Sequence, residues 1–186
     1  MSHGIFPFWQ ALLNNPKQIG AIWPAGSSLT AAMLKEVFAA APGLVIELGG
    51  GTGMITQGLF DARTHFSGLM VFERTPSLAN CLQNRFPDLT IHPTCASHVD
   101  QLDLSQQDTL TLVSSLPFRS LPPCDRTRLE MSIVKVSAGC PRFRLIQYSY
   151  FKREPFPSPA ANLRWRQKQT VIRNIPPATL WVLEKT

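Results

Sequence analysis

Residues 44–53 read Leu44-Val-Ile-Glu-Leu-Gly-Gly-Gly-Thr-Gly53, a short apolar run that ends in a glycine-rich loop. The apolar run is typical of a buried parallel strand, and the loop would open the helix that follows it. Glycines at 49, 51 and 53 let the backbone turn tightly and approach a ligand that any Cβ atom would push away. This stretch therefore predicts a ligand-binding turn between a central strand and a helix.

The spacing of the glycines distinguishes two classes of nucleotide ligand. A dinucleotide fingerprint requires Gly-x-Gly-x-x-Gly, and Met54 stands where its last glycine belongs. The sequence has instead Glu-x-Gly-x-Gly-x-Gly, which begins at Glu47. A second acid, Glu73, follows Gly53 by 20 residues and closes the next apolar run, where a carboxylate can accept hydrogen bonds from both ribose hydroxyls. The loop and the two acids together predict a nucleoside-type ligand.

The rest of the chain alternates between strand-like and helix-like segments. Apolar runs predict strands at 44–48, 68–73, 89–92, 109–114 and 142–150, and helices are expected at 28–41, 54–61, 76–86, 97–102 and 124–137. Ser27 or Ser28 would cap the first helix. Two more strands, 169–175 and 179–184, flank Pro176-Pro177 and predict an antiparallel hairpin. The expected fold is α/β, with a mostly parallel sheet, helices on both faces and the hairpin at the sheet edge.

The composition narrows the classes of function. The 186 residues are 44% apolar and 16% charged, which suits one folded domain with a sizeable core. The longest apolar runs are far too short to cross a bilayer. The net charge is +6, and from Arg142 to Arg173 eight basic residues accompany a single acid, Glu154. This excess predicts that the C-terminal third contacts an anionic partner, either nucleic acid or lipid headgroups.

The glycine loop resembles the first motif of class I S-adenosylmethionine-dependent methyltransferases. The resemblance implies a Rossmann-like sheet of seven strands, S-adenosylmethionine as cofactor and S-adenosylhomocysteine as product. Cys95 is a departure, because the family often has an acid there for the adenine amino group and a thiol is a weak acceptor. The cofactor-binding residues that the resemblance implies are Glu47, Gly49, Gly51, Thr52, Gly53, Glu73, Arg74, Cys95, Ala96 and Ser114.

The segment Ser114-Ser-Leu-Pro-Phe118 follows the fourth strand and predicts the methyl-acceptor side of the site. A turn of this type directs a hydroxyl and backbone carbonyls towards the space in front of the cofactor. Carbonyl oxygens there can accept N–H bonds and so orient an amine. The expected catalytic residues are Ser114, Leu116 and Tyr148.

Three further segments resemble bacterial phospholipid N-methyltransferases, which make phosphatidylcholine from phosphatidylethanolamine, and more distantly the rRNA adenine dimethylases. These segments are Asn14–Pro24, Gln147–Tyr150 and Arg173–Ala178. Pro24-Ala25-Gly26 departs from the Pro-Ser-Ser that the lipid family commonly has at this place.

The lipid resemblance implies a set of substrate-binding residues. Aromatic faces would hold the amine as it becomes a quaternary cation. Arg173 would meet the phosphodiester bidentately. The complete expected set is Trp23, Ser27, Phe118, Tyr150, Arg173 and Asn174.

The N-terminal residues predict how the protein meets a membrane. Ile5–Leu13 is apolar and rich in aromatic residues, which is typical of an interfacial helix or a lid over the cofactor site. Met1–Leu13 lacks the features of a secretory signal. The expected division is an interfacial or lid segment at 1–27 and a methyltransferase domain at 28–186. The protein is expected to be a cytoplasmic monomer bound peripherally to the inner face of the membrane.

Two other functions compete with lipid methylation. One is N6-methylation of an adenine in rRNA, with Phe118 stacked on a flipped base. The other is binding of S-adenosylmethionine without turnover, which the Cys95 departure favours. Nucleic acid is the less favoured partner. No metal is expected, because the four cysteines form no Cys-x-x-Cys pair and have no histidine at ligand spacing.

Overall fold

The computed structural model describes residues 23–150, 152–172 and 177–186. Helices and strands alternate through most of this range. The helices are α1 Trp23–Val37, α2 Met54–Asp61, α3 Pro76–Arg85 and α4 Pro123–Gly139. The strands are β1 Leu44–Leu48, β2 Gly68–Phe72, β3 Thr90–His92, β4 Thr109–Ser114, β5 Arg142–Ser149, β6 Leu163–Val171 and β7 Ala178–Lys185.

One seven-stranded sheet joins all these strands in the order β3-β2-β1-β4-β5-β7-β6. Strands β1 to β5 pair in parallel, whereas β7 pairs antiparallel with both β5 and β6. The strand order reverses between β1 and β4. In an open α/β sheet, ligands bind in the crevice that such a reversal leaves at the carboxyl ends of the strands. The expected α/β fold, mostly parallel with a C-terminal hairpin, is confirmed.

Both faces of the sheet are covered, which is why its central strands are rich in apolar residues. All five residues of β1 are buried. On one face, Val45 and Val182 pack with residues of α1 and α2 such as Leu59. On the other face, Ile46 and Leu112 pack in the cluster that includes residues of α4. This double burial holds the carboxyl ends of the strands in register beneath the glycine loop.

Two predicted boundaries were wrong at the first helix. Helix α1 runs over Trp23–Val37 and not over 28–41, so neither Ser27 nor Ser28 is its N-cap. Pro24 is compatible with this earlier start, because an N–H in the first turn of a helix has no partner inside the helix. The chain turns directly after Val37 and reaches Pro42 as coil.

The sixth strand was also placed wrongly. It covers Leu163–Val171 instead of 169–175, because buried Leu163 and Trp165 alternate with exposed Arg164 and Arg166. That alternation is a half-buried strand pattern that the density of positive charge concealed. The segment expected as a helix at 97–102 is a 3-10 helix over Ala96–Gln101.

No helix in the part of the chain that the structure describes is long and apolar enough to cross a bilayer.

Truncating the central strand tests the packing on which the sheet depends. Ile46 is fully buried, and we expect Ile46→Ala to lower the free energy of unfolding by about 2–5 kcal/mol. Met131 on α4 is 68% exposed, so Met131→Ala is a matched control that should change it by less than about 0.5 kcal/mol. Urea unfolding followed by circular dichroism measures both. Equal losses from the two variants would contradict the burial pattern.

Candidate active site

The carboxyl ends of the parallel strands bring most of the expected residues to one edge of the sheet. The glycine loop follows β1, and Glu73 follows β2. Cys95 and Ala96 come after β3, and the turn that begins at Ser114 ends β4. Residues from Gly49 to Ser114, up to 65 positions apart in sequence, therefore surround one crevice at the point where the strand order reverses.

A set of hydrogen bonds holds the glycine loop in place. The N–H groups of Gly49 and Gly50 donate to the Phe72 carbonyl oxygen at 2.8 and 3.2 Å. The N–H of Gly51 donates to Glu73 Oε2 at 2.8 Å, and the N–H of Thr75 donates to Glu73 Oε1 at 2.8 Å. A carboxylate can accept about four hydrogen bonds, so each Glu73 oxygen retains acceptor capacity for a ligand hydroxyl.

Gly51 differs from the other glycines of the loop in what lies in front of it. A Cβ atom at Gly49, Gly50 or Gly53 would approach a neighbouring leucine within 2.6–2.9 Å. At Gly51, with φ +55°, no described atom lies within 4 Å of that position. A side chain at Gly49, Gly50 or Gly53 would thus force a neighbouring leucine to shift. Gly51 leaves an open space beside backbone, as a turn that a ligand approaches closely requires.

Glu47 lies beneath the loop, with only 1% of its surface exposed. Its Oε2 accepts a hydrogen bond from Thr56 Oγ1 at 2.7 Å, which ties β1 to α2. The pKa of Glu47 is raised from its ordinary value of 4.5 to about 8, chiefly by burial; the hydrogen bonds from Thr56 oppose the shift, and the charge of Glu73 contributes to it. Glu47 is therefore largely uncharged at neutral pH.

The turn after β4 is bonded to the glycine loop across the reversal point. Ser115 Oγ donates to the Gly49 carbonyl oxygen at 2.6 Å. Ser114 is fully buried, and its hydroxyl oxygen accepts the Leu116 N–H at 3.2 Å. The Leu116 carbonyl, which the sequence predicted would orient an amine, accepts the Phe118 N–H at 2.9 Å and the Gln147 amide at 3.0 Å. Both of its lone pairs are engaged within the protein, so this carbonyl is not available to an amine in this structure.

Gln147 is the residue whose role the sequence did not reveal. It is 2% exposed at the end of β5, directly opposite Ser114 in the parallel register. Its Nε2 donates to the carbonyl oxygens of Leu116 at 3.0 Å and Tyr148 at 2.9 Å. The sequence signal that could have identified Gln147 is its amide side chain, which follows the apolar residues Leu145 and Ile146 directly before Tyr148.

A cavity of about 60 Å³ lies between this turn and the end of β5. Leu116, Gln147, Tyr148 and Tyr150 line it, together with Phe118. The Tyr148 and Tyr150 rings meet edge to face with centroids 5.6 Å apart. Burial raises the pKa of the Tyr148 phenol well above its usual value, and Tyr150 adds to the shift. Tyr148 therefore stays protonated and is not a general base.

Phe118 is 2% exposed, and its ring stacks on Phe156 at 4.4 Å between centroids. Phe156 in turn meets the Trp165 ring edge to face at 5.1 Å. Phe118 belongs to a core cluster, and its stacked face is covered by protein. This packing is the reason that the structure does not offer Phe118 as an open platform.

The remaining expected cofactor residues lie around the crevice with different partners. Thr52 is exposed on the loop. Arg74 Nη1 pairs with Asp125 Oδ2 at 3.4 Å. Cys95 is half-buried and accepts a hydrogen bond from Ser97 Oγ at 3.3 Å, while Ala96 is buried.

Several expected substrate residues fall outside what the structure describes. Arg173, Asn174 and the interfacial segment Ile5–Leu13 lie outside the described residues. Trp23 and Ser27 are placed on α1 by their backbone alone. Their expected roles remain predictions.

Neither a protein-family model nor a curated protein sequence matches this chain. Solved structures do resemble it. The N-methyltransferase NodS from Bradyrhizobium japonicum WM9, in complex with S-adenosylhomocysteine, has a TM-score of 0.66 and 15% sequence identity, over 97% of each chain. The 1,6-didemethyltoxoflavin-N1-methyltransferase of Burkholderia thailandensis has a TM-score of 0.63 and 15% identity, over 97% of this chain and 86% of its own.

The 23S rRNA methyltransferase ErmE is similar at a TM-score of 0.52 and 14% identity, over 85% of this chain and 67% of its own. At such identities, these similarities establish the fold. The chain has the Rossmann-like fold found in these methyltransferases.

The buried Glu47 predicts a pH dependence of stability. Between pH 4.5 and about 8 the folded protein retains a proton on Glu47 that the unfolded chain releases, so raising the pH favours unfolding. We expect this group to lower the free energy of unfolding by up to about 1.4 kcal/mol per pH unit in that window.

Glu47→Gln is the matched control, because its neutral amide can still accept the Thr56 hydrogen bond. Urea unfolding of both proteins at intervals from pH 5 to pH 8 should show a smaller decline for the variant. Parallel stability profiles would mean that Glu47 is ionised in the folded protein.

Proposed function

We propose that this protein is an S-adenosylmethionine-dependent N-methyltransferase that methylates the amine of phosphatidylethanolamine or its methylated derivatives. The observation that carries the cofactor assignment is the open space at Gly51 beside the two-oxygen acceptor of Glu73. The lipid assignment rests on the sequence resemblance and on the aromatic rings and neutral amide that line the acceptor cavity.

The residues of the crevice fit a sulfonium nucleoside. Gly51 offers bare backbone, and the carboxylate of Glu73 retains acceptor capacity on both oxygens for two neighbouring hydroxyls. NodS and the toxoflavin enzyme, which share the fold, were crystallised with S-adenosylhomocysteine. When bound, S-adenosylmethionine would supply a methyl group to the lone pair of an uncharged amine, leaving a neutral thioether and a methylated ammonium, which passes a proton to water when the starting amine was primary or secondary.

The acceptor cavity favours a small aliphatic amine. Its walls combine aromatic rings with a neutral amide, and Tyr148 is held protonated. A partly dry site disfavours an alkylammonium and so lowers the pKa of the amine, whose ordinary value is roughly 10. The faces of Tyr148 and Tyr150 would also attract a methylated cation, each contributing about 0.5–2 kcal/mol.

Methylation of rRNA adenine is the alternative, and the similarity to ErmE is the observation in its favour. The packing of Phe118 argues against it. A flipped base needs an aromatic face to stack on, and the Phe118 ring is already stacked on Phe156 and almost fully buried. A headgroup amine requires no such platform.

The exposed face of β6 supports contact with an anionic membrane surface. Arg164, Arg166 and Lys168 are all exposed at alternate positions of this edge strand. Arg166 pairs with Glu184 at 2.5 Å. Each basic residue near an anionic bilayer contributes about 1 kcal/mol, which is consistent with peripheral binding at the inner face of a membrane.

The acceptor is tested by incubating the protein with S-adenosylmethionine that carries a labelled methyl group. One reaction contains liposomes of phosphatidylethanolamine and anionic lipid, and the other contains ribosomal RNA. We expect label in the lipid fraction. Label in RNA would replace the proposal by the alternative, and label in neither would favour a binding protein without turnover.

The cofactor assignment is tested at Gly51. Asn tolerates positive φ, so Gly51→Asn should fold while its side chain occupies the open space. We expect the affinity for S-adenosylhomocysteine to fall at least about tenfold by calorimetry. Gly139→Asn is the control, because nothing lies near that Cβ position either and Gly139 ends α4 away from the loop. Unchanged affinity in Gly51→Asn would place the cofactor elsewhere.

A further inference from the structure

The orientation of the Gln147 side chain is fixed by the protein. Both hydrogens of its Nε2 are donated, one to the Leu116 carbonyl and one to the Tyr148 carbonyl. If the amide were flipped, its oxygen would face two carbonyl oxygens and lose both bonds. The amide oxygen is therefore assigned by this hydrogen-bond network.

The Gln147 Oε1 is a buried acceptor with no hydrogen-bond partner among the described residues. Gln147 is 98% buried, and a buried polar group left unpaired carries a substantial penalty. Such groups are rare unless something outside the chain satisfies them. The same residue lines the acceptor cavity between Leu116 and Tyr148, but Oε1 itself is shielded, so an amine reaches it only if a neighbouring side chain moves.

We propose that the Gln147 side-chain oxygen accepts an N–H bond from the acceptor amine and thereby selects amines that still carry a hydrogen on nitrogen. This inference rests on the proposed N-methyltransferase function and names its amine-binding group. Gln147 takes over the task that the sequence assigned to the Leu116 carbonyl, whose lone pairs are both occupied by the Phe118 N–H and by Gln147 itself.

Selection against a quaternary product follows from the same contact. Each methyl transfer replaces one N–H by N–CH3. The uncharged primary and secondary amines that react can donate to Oε1, a tertiary amine can do so only in its protonated form, and a quaternary ammonium cannot. Binding of a quaternary cation leaves the Gln147 oxygen unpaired. We expect this to weaken binding by roughly tenfold relative to the tertiary ammonium, despite the extra methyl that the aromatic rings contact.

The test uses trimethylammonium and tetramethylammonium chloride, which carry the same charge and differ in size by one methyl group. Each is titrated into isotopically labelled protein saturated with S-adenosylhomocysteine, and the Gln147 carboxamide signals are followed by nuclear magnetic resonance. We expect trimethylammonium to shift the Gln147 carbonyl carbon and tetramethylammonium to bind more weakly without that shift. Equal responses to the two ions, or no response at Gln147, would overturn the proposal.

Gln147→Met is the second test, because it keeps the length of the side chain and removes its oxygen together with the two hydrogen bonds that Nε2 donates to Leu116 and Tyr148. The variant should lose the preference for trimethylammonium and retain its affinity for S-adenosylhomocysteine. If it fails to fold, the wild-type titration still decides. The outcome is separate from the lipid assay, since an N–H contact at Gln147 with no label in liposomes would overturn the lipid substrate and leave the amine site standing.

Discussion

The crevice depends on one carboxylate, that of Glu73, which holds two segments of backbone at once. Its two oxygens accept the N–H groups of Gly51 and Thr75, so the glycine loop after β1 and the start of α3 share one anchor. Charge-assisted bonds of this kind are among the stronger ones in proteins. They fix Gly51 at positive φ with its open side outward, and they leave Glu73 positioned to accept further hydroxyls.

The fold could be predicted because it depends on local sequence, and the same local signals located the glycine loop and Glu73, which the structure brings together. The sequence alone shows the short, mostly apolar run of β1, the glycines at fixed spacing after it, and the acid Glu73 after the next strand. The prolines at 176 and 177 marked the hairpin, whereas the order of the strands in the sheet was not predicted from the sequence. The errors occurred where a pattern was masked, as at β6, where Arg164 and Arg166 concealed the alternation of Leu163 and Trp165.

The acceptor half could not be predicted in the same way, because it depends on which hydrogen-bond partners meet across strands. The sequence places Leu116 in a turn of the right type, but it does not show that Gln147, 31 positions away, donates to the Leu116 carbonyl. It also does not show that Phe118 stacks on Phe156 and so becomes core. The residue type shows which hydrogen bonds or ring contacts a side chain can make. The neighbours that the fold places around it decide whether those contacts are still free for a ligand.

These partners also define how an amine can be handled without a strong base. Tyr148 is kept protonated by burial, and Glu47 is largely uncharged at neutral pH and bonded to Thr56. Among the described residues that line the cavity, Gln147 has a buried, neutral side-chain oxygen without a hydrogen-bond partner. A neutral acceptor orients an N–H without drawing the amine into its charged form as strongly as a carboxylate would, because a carboxylate stabilises the ammonium. The nitrogen lone pair is thus more readily available, and loss of the ammonium proton to water is enough to prepare the amine for methylation. The apolar surroundings and the neutral amide therefore act together. The apolar surroundings lower the pKa of the amine, and the amide oxygen of Gln147 orients its N–H bond.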